Sequence, residues 1–292
     1  MDFQISDRWL IPVEPGHSVT PGWPAETGGR PWGVTWHWTA TLDLARCTRL
    51  LGGPEAERKG QASAHYGIGR SFEEGVHRYV TLENQSWHAG KEQRVRWDGA
   101  PFEGAADKGS RTTVGVETVH NGYARRGFPA GENWSLAWSP DGRQAMRVQP
   151  WTDEQIEMIL GIGREILDRW PHIGPRDHHG HHDLCPGYKV DVSGFPFAQI
   201  LRSLYNDSNL PDVWTPLWTV RGRQRALRAL GHDLEGEERR GRWGPISARA
   251  LRRFQRDAGL AVIDAWSTFV NWRVYEILRD GGLDLAEVAA SD

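Results

Sequence analysis

The alternation of apolar and polar side chains in residues 32–39 constrains the fold of this chain most. In this run, WGVTWHWT, the period is two residues, which is typical of a β-strand with one buried face. Similar strand-like runs follow at SAHYGIGR (63–70), GVHRYV (75–80) and TTVGVETVH (112–120). The sequence therefore predicts a sheet in the first part of the chain.

Helical patterns lie between and after these strands. LDLARCTRLL follows Thr41 and predicts a helix capped by that residue. Thr152 and Gln155 form a capping box before an apolar stripe with helical spacing, so 153–170 is predicted as an amphipathic helix. Residues 121–150 are crowded with turn formers and are predicted as a long surface loop without strands or helices. This mixture indicates an α/β fold.

The C-terminal part has a different pattern. Turn formers cluster in NDSNLPDVWTP, residues 206–216, and three helical patterns follow: VRGRQRALRALG, PISARALRRFQRDAG and STFVNWRVYEILRD. We therefore predict a larger domain over 1–205, a linker over 206–216 and a small three-helix domain over 217–292.

Composition excludes several classes of protein. The 292 residues carry a net charge of −3 without a long basic stripe, so a nucleic-acid partner is not expected. There is no apolar run of membrane-spanning length, and the N-terminus lacks the pattern of a signal peptide. We therefore expect cytoplasmic synthesis without membrane insertion. Two cysteines, Cys47 and Cys185, allow at most one disulfide, so no disulfide framework supports the fold.

The segment HHGHHDLCPGYKVD, residues 178–191, is dense in metal-binding side chains. A catalytic zinc ion uses three protein ligands and keeps a fourth position open. His181 and Asp191 flank a Pro-Gly turn that could bring both to one ion, and His37 could join them from the first strand. Spacing alone does not choose among the histidines of the segment. The other candidates are His178, His179 and His182.

Five motifs in the same order carry a resemblance to a known family. They are VTWHWT, SAHYGI, WHAG (87–90), VGVE (114–117) and GHHDLCPGYKVD. Together they resemble the zinc-dependent N-acetylmuramoyl-L-alanine amidases of the amidase type 2 family, over about three fifths of the chain. The resemblance implies a central mixed β-sheet flanked by helices.

The resemblance also implies a ligand set and two catalytic roles. His37, His181 and Asp191 are the implied ligands of Zn2+, Glu117 the implied general acid and base, and Lys189 the implied stabiliser of the oxyanion. Simpler interpretations are a polar residue on the outward face of a strand for Glu117 and a surface lysine for Lys189.

The chain departs from the family pattern in the last motif. Tyr188 stands where many relatives carry a basic residue, and DVSGF replaces the usual Asp-Pro-Gly, so the substrate side of this loop is expected to differ. One branch of the family uses a cysteine as third ligand, but Cys185 comes too early after His181 for that role and is left as a minor alternative. His65 and His88 are interpreted as cleft residues or partners of the ligands.

The C-terminal unit is similar to three-helix peptidoglycan-binding domains, mainly through GRWGPISARALRRFQRDAGL. A small packing domain is the alternative. Such an anchor would raise the local concentration of an insoluble substrate. The expected function is zinc-dependent cleavage of the bond between N-acetylmuramic acid and L-alanine, by a phage or prophage endolysin that reaches the cell wall after release. The alternatives are a muropeptide-recycling amidase, an injected effector and a non-catalytic peptidoglycan-recognition protein.

Overall fold

A computed structural model describes most of the chain. The described residues are 10–12, 19–52, 62–90, 92–140, 144–234 and 241–291. The strands are β1 (Leu10–Pro12), β2 (Val19–Thr20), β3 (Gly33–Trp38), β4 (Tyr66–Ile68), β5 (Val76–Arg78), β6 (Gln85–Ser86), β7 (Thr113–Thr118), β8 (Ser135–Trp138), β9 (Ala145–Val148) and β10 (His178–Gly180). The helices are α1 (Leu44–Leu51), α2 (Gly109–Thr112), α3 (Asp153–Arg169), α4 (His181–Leu184), α5 (Phe197–Leu204), α6 (Val220–Ala229), α7 (Pro245–Asp257), α8 (Thr268–Asp280) and α9 (Leu285–Ala290).

Six strands form the central sheet in the order β1-β5-β4-β7-β3-β10. The β4–β5 pair is antiparallel and the other pairs are parallel. Two small antiparallel pairs, β2–β6 and β8–β9, lie outside this sheet. The predicted mixed sheet with flanking helices is therefore confirmed.

Helix α3 covers one face of the sheet. The predicted capping box is present. Thr152 Oγ1 accepts the Gln155 backbone N–H, and Gln155 Oε1 accepts the Thr152 backbone N–H. The inward residues Ile159 and Ile162 are fully buried in the same cluster as Trp36 of β3. The capping box and the apolar stripe, both read from the sequence, therefore predicted this helix correctly.

Two local predictions were wrong. The Asp43 carboxylate, not Thr41, caps α1 by accepting the backbone N–H of Arg46. Residues 121–150 are not a loop throughout, because β8 and β9 pair there as a hairpin.

Strand β3 is buried along its whole length rather than half-buried. The polar face that carries Thr35 and His37 is covered by other histidines, and one of them, His179, lies 5.5 Å from Phe269 of α8. Thr35 Oγ1, for example, lies 2.9 Å from His179 Nε2. Burial of this polar face is possible because its groups are hydrogen-bonded.

The C-terminal helices pack directly on the sheet part of the molecule. The three predicted helices are α6, α7 and α8, and the short α9 follows them. One continuous cluster of buried side chains includes Trp36 of β3, Leu227 of α6 and Val274 of α8. Trp214, within the predicted linker, stacks on Phe197 of α5 at 5.1 Å. The boundary at 206–216 therefore stays a prediction. Over the described ranges, no helix is both long and apolar enough to cross a membrane.

Candidate metal centre and active-site cleft

The carboxyl edge of the parallel strands carries the candidate site. His37 of β3 pairs in register with Glu117 of β7, so both side chains project from the same face near the ends of their strands. His181 begins α4 directly after β10, the other neighbour of β3. Ligands of α/β proteins commonly bind at this edge of a sheet.

His37, His181 and Asp191 form one buried cluster. The Nδ1 atoms of the two histidines are 3.0 Å apart, and Asp191 Oδ2 lies 3.1 Å from His181 Nδ1 and 3.5 Å from His37 Nδ1. Within the part of the chain that the structure describes, this is the one group of three His, Cys, Asp or Glu side chains with the geometry to hold a metal ion. The structure thus brings the three expected ligands together.

Neighbouring hydrogen bonds orient both imidazoles. The Ala89 carbonyl lies 3.1 Å from His181 Nε2 and can only accept, so that nitrogen carries the proton. The Thr113 carbonyl likewise accepts from His88 Nε2 at 3.0 Å. Neutral His88 therefore accepts through Nδ1 the N–H of His37 Nε2, again at 3.0 Å. In the neutral rings, both Nδ1 lone pairs point into the cluster.

The charges of the cluster favour a cation at its centre. Burial lowers the pKa of His37 to about 4, and His181 adds to this effect. Burial also acts to lower the pKa of His181, but the Asp191 carboxylate outweighs it and raises that pKa to about 10. In the absence of a metal ion, a proton on His181 therefore balances the charge of the Asp191 carboxylate. A bound metal ion would replace that proton. Two imidazole nitrogens and a carboxylate oxygen are a suitable donor set for such an ion.

Glu117 lies beside this cluster. Its Oε1 is 3.8 Å from His37 Nδ1, and its side chain is 13% exposed. Burial raises the pKa of Glu117 to about 7, and the Asp191 carboxylate adds to the shift. Its Oε2 is a buried atom without a hydrogen-bond partner among the described residues. A carboxylate with this pKa, and with one oxygen that is not engaged in a hydrogen bond, can exchange protons near neutral pH.

A cleft of about 620 Å³ opens above the cluster and includes Glu117 and Lys189 in its walls. Lys189 follows the Pro-Gly turn, with its Nζ 5.3 Å from the centre of the Tyr188 ring. Two aromatic side chains border the cleft with large exposed surfaces, Tyr188 at 63% and Trp87 at 51%. Four of the five residues with expected roles, Glu117, His181, Lys189 and Asp191, therefore line one cleft, and His37 is buried behind it in contact with His181.

The remaining histidines of residues 178–182 lie elsewhere. His178 points to the opposite face of the sheet, where its Nε2 contacts the Tyr205 hydroxyl at 2.8 Å. His179 contacts Thr35, and His182 Nδ1 contacts the Asp191 carbonyl at 2.9 Å. Alternation along β10 thus separates His178 from His179, a distinction that spacing alone did not provide.

The other two groups considered from the sequence have structural partners. Cys185 Sγ donates to the Ala89 carbonyl at 3.3 Å and is not a member of the metal cluster. His65 accepts the Gly115 N–H through Nδ1 and contacts the Asn84 carbonyl through Nε2. His65 lies next to His88, and His88 contacts the expected ligand His37 directly.

Two residues that support the site were not found from the sequence. Gly115 lies against the His88 ring, where a Cβ would collide with it, so glycine makes room for that ring. Asp183 is fully buried beside His181 and accepts the Gly180 N–H at 2.7 Å. Its position three residues after a helix N-cap was the available signal.

Comparison with known proteins gives matches for both parts of the chain. The sequence profile of the N-acetylmuramoyl-L-alanine amidase family matches residues 27–191, more than half of the chain. That of a putative peptidoglycan binding domain matches residues 219–262. Among curated proteins there is no significant match.

Two solved structures are among the matches. AmiD from E. coli, in complex with anhydro-N-acetylmuramic acid-L-Ala-D-γ-Glu-L-Lys, has a TM-score of 0.50 and 18% identity, covering 90% of this chain and 92% of AmiD. AmpDh3 from Pseudomonas aeruginosa, in complex with an anhydromuramic pentapeptide, has a TM-score of 0.48 and 19% identity, covering 86% and 92%. At such identity the AmiD match supports the fold alone.

The family match, together with the mixed sheet and the buried His-His-Asp cluster at its carboxyl edge, places the chain among enzymes that hydrolyse amide bonds. More narrowly, the chain belongs to the N-acetylmuramoyl-L-alanine amidase family, and a peptidoglycan-binding domain follows the amidase domain.

Proposed function

We propose that this amidase uses zinc to hydrolyse the amide bond between the lactyl group of N-acetylmuramic acid and L-alanine in peptidoglycan. His37, His181 and Asp191 are the proposed ligands, Glu117 the general acid and base, and Lys189 the group that stabilises negative charge on the carbonyl oxygen. The substrate class follows from the family and from the adjoining peptidoglycan-binding domain.

The observation that carries this proposal is the spacing of the three ligand atoms. Atoms bound at about 2.0–2.1 Å to a tetrahedral zinc ion lie about 3.3 Å from one another. The separations among His37 Nδ1, His181 Nδ1 and Asp191 Oδ2 are 3.0, 3.1 and 3.5 Å. This spacing fits a zinc ion, and His181 and Asp191 line the cleft from which substrate would approach.

The bound ion would polarise the scissile carbonyl and make the attacking water more acidic. Glu117, beside the cluster with a free Oε2, accepts a proton from that water as its oxygen bonds to the carbonyl carbon. When the C–N bond breaks, Glu117 returns the proton to the departing nitrogen of L-alanine. The products are a lactyl carboxylate on the sugar and a peptide with a free N-terminal amine.

Lys189 has a separate role in the same reaction. Negative charge develops on the carbonyl oxygen only as the water adds, and an ammonium group in the cleft wall stabilises that charge. Removing such a group typically reduces kcat by about 10²–10³-fold. The exposed rings of Trp87 and Tyr188 offer flat apolar surfaces at the rim for the sugar or the peptide.

Zinc content and product analysis test this function. We expect about one zinc per chain in the wild type. We also expect purified sacculi to release peptides that begin with L-alanine. His37→Ala, His181→Ala and Asp191→Ala should lose both zinc and activity. Cys185→Ala, which changes a buried neighbour outside the cluster, should keep both.

Three results would contradict the proposal. New reducing sugar ends would indicate cleavage of the glycan instead of the amide. A zinc-loaded protein that binds sacculi but releases no peptide would be a peptidoglycan-recognition protein. Retention of zinc by Asp191→Ala together with its loss from Cys185→Ala would require a different ligand set.

We propose further that the enzyme acts on the intact wall, as an endolysin does, because its helical unit matches a peptidoglycan-binding domain. The test compares initial rates on sacculi and on soluble muropeptides, at equal concentrations of the scissile bond. A preference for sacculi that disappears when soluble peptidoglycan fragments compete would support wall binding. Efficient cleavage of soluble muropeptides alone would indicate a recycling enzyme.

A further inference from the structure

The N-terminus of α8 contacts the turn that carries His181. The backbone N–H of Thr268, the first residue of α8, donates to Asp183 Oδ1 at 2.7 Å. The other oxygen, Asp183 Oδ2, accepts the backbone N–H of Gly180 at 2.7 Å. Gly180 directly precedes His181 in the chain. One fully buried carboxylate therefore joins the C-terminal helices to the metal-binding turn.

A second set of contacts leads from Asp183 to the other end of that turn. His182 Nε2 lies 3.3 Å from Asp183 Oδ1, and His182 Nδ1 lies 2.9 Å from the Asp191 carbonyl oxygen. The His182 backbone N–H donates to the same carbonyl at 2.6 Å. Asp183 is therefore connected to both proposed ligands of this segment. It binds Gly180, which precedes His181 in the chain, and it contacts His182, whose other ring nitrogen contacts the Asp191 carbonyl.

Apolar contacts from the same helix exclude water from these bonds. Phe269, the second residue of α8, lies 5.5 Å from the His179 ring and packs in a small buried cluster with Ala89. The other buried members of this cluster are Val95, Leu184, Cys185 and Ala261. The Ala89 carbonyl also accepts the His181 Nε2 proton. The negative charge of Asp183 is favourable at the N-terminus of a 13-residue helix, and low polarity strengthens its hydrogen bonds.

We propose that Asp183 is a positioning residue through which the C-terminal helical unit fixes the metal-binding turn. The inference rests on the proposed zinc site. The helical unit then has two roles, since it contributes to metal affinity at one end of α8 in addition to binding the wall. Without the Thr268 N–H, the Asp183 carboxylate loses one hydrogen-bond donor. The turn between Gly180 and Asp191 is then no longer hydrogen-bonded to α8 through Asp183.

Thr268→Pro compared with Thr268→Ala tests this contact in the full-length protein. Both variants lose the hydroxyl that accepts from Trp214 Nε1, but only proline removes the backbone N–H. Proline is tolerated at the first residue of a helix, and Ser267 already has the extended backbone that precedes proline readily, with φ −139° and ψ 166°. Zinc affinity is measured by competition with a chromogenic chelator.

We expect Thr268→Pro to bind zinc about 10- to 100-fold more weakly than Thr268→Ala, as is typical when a contact behind the ligands is lost. The visible absorption spectrum of the cobalt-substituted protein should change in parallel, because it reports ligand geometry independently of activity. Asp183→Asn should behave like Thr268→Pro. Both carboxylate oxygens of Asp183 accept a backbone N–H, and the asparagine side chain would place an NH2 group, which cannot accept, against one of these two donors.

Asp177→Asn is the matched control. Asp177 also accepts a backbone N–H, that of Gly174 at 2.7 Å, but outside the metal-binding turn. It should lower the free energy of unfolding and leave zinc affinity unchanged. If Thr268→Pro does not fold, Asp183→Asn against Asp177→Asn decides the question. Wild-type zinc affinity in both Asp183→Asn and Thr268→Pro would overturn this inference alone, whereas a wild type that binds no zinc would overturn the proposed function as well.

Discussion

Replacing His88 with phenylalanine should weaken zinc binding although His88 is not a proposed ligand. His88 receives the Nε2 proton of His37 at 3.0 Å and donates its own Nε2 proton to the Thr113 carbonyl. Burial, followed by the nearby His37 and His65, holds the pKa of His88 well below its usual value, so the ring is neutral. Phenylalanine fills a similar volume but offers no acceptor.

His37 then has two options, and both are unfavourable. If the proton stays on Nε2, a buried donor lacks a partner, which costs about 1–3 kcal/mol of folding free energy. If the proton moves to Nδ1, it occupies the lone pair that points at His181 and Asp191. The metal must then displace it, and we expect about 10- to 100-fold weaker binding, equivalent to about 1.4–2.8 kcal/mol.

Two measurements separate these options. Chelator competition gives the zinc affinity of wild type and variant, and urea unfolding of the metal-free proteins gives the difference in stability. His88→Asn is the control, because its Oδ1 stands near the original Nδ1 position and can accept the His37 proton. We expect Asn to recover part of the zinc affinity that Phe loses. Wild-type affinity and wild-type stability in His88→Phe would refute the role assigned to this hydrogen bond.

Three further outcomes concern the cleft and the neighbourhood of the metal cluster. Glu117→Gln should lower kcat for peptide release by about 10²–10⁴-fold with zinc content unchanged, since glutamine cannot exchange the proton; full activity would exclude the acid–base role. Lys189→Ala should lower kcat by about 10²–10³-fold, with partial recovery in Lys189→Arg; a change in KM alone would indicate substrate binding instead. Cys185→Ser should retain about one zinc per chain by elemental analysis, as the sulfur hydrogen-bonds to the Ala89 carbonyl and not to the cluster.

The regular elements near the site were predictable because their patterns are strong and local. Period-two runs predicted β3 and β7, although β3 is buried on both faces, and a capping box with a long apolar stripe predicted α3. The resemblance then singled out His37, His181 and Asp191 from a larger number of possible ligands, and the structure brings these three together.

Short and long-range features were not predictable in the same way. The hairpin of β8 and β9 has four residues in each strand, and Leu136 is largely exposed there, so its apolar alternation is weak among many turn formers. The contact between Asp183 and Thr268 joins residues 85 positions apart and leaves no periodic signal. Such contacts depend on how complete elements pack.

The register of β3 against β7 has a consequence for how this chain can vary. Because His37 lies opposite Glu117 in a ladder of backbone hydrogen bonds, insertions before or after these strands leave their separation unchanged. Deleting one residue within β7 upstream of Glu117 would instead turn that side chain to the opposite face of the sheet. The segments around the cleft can therefore diverge in sequence, while the sheet keeps the separation of His37 and Glu117 fixed.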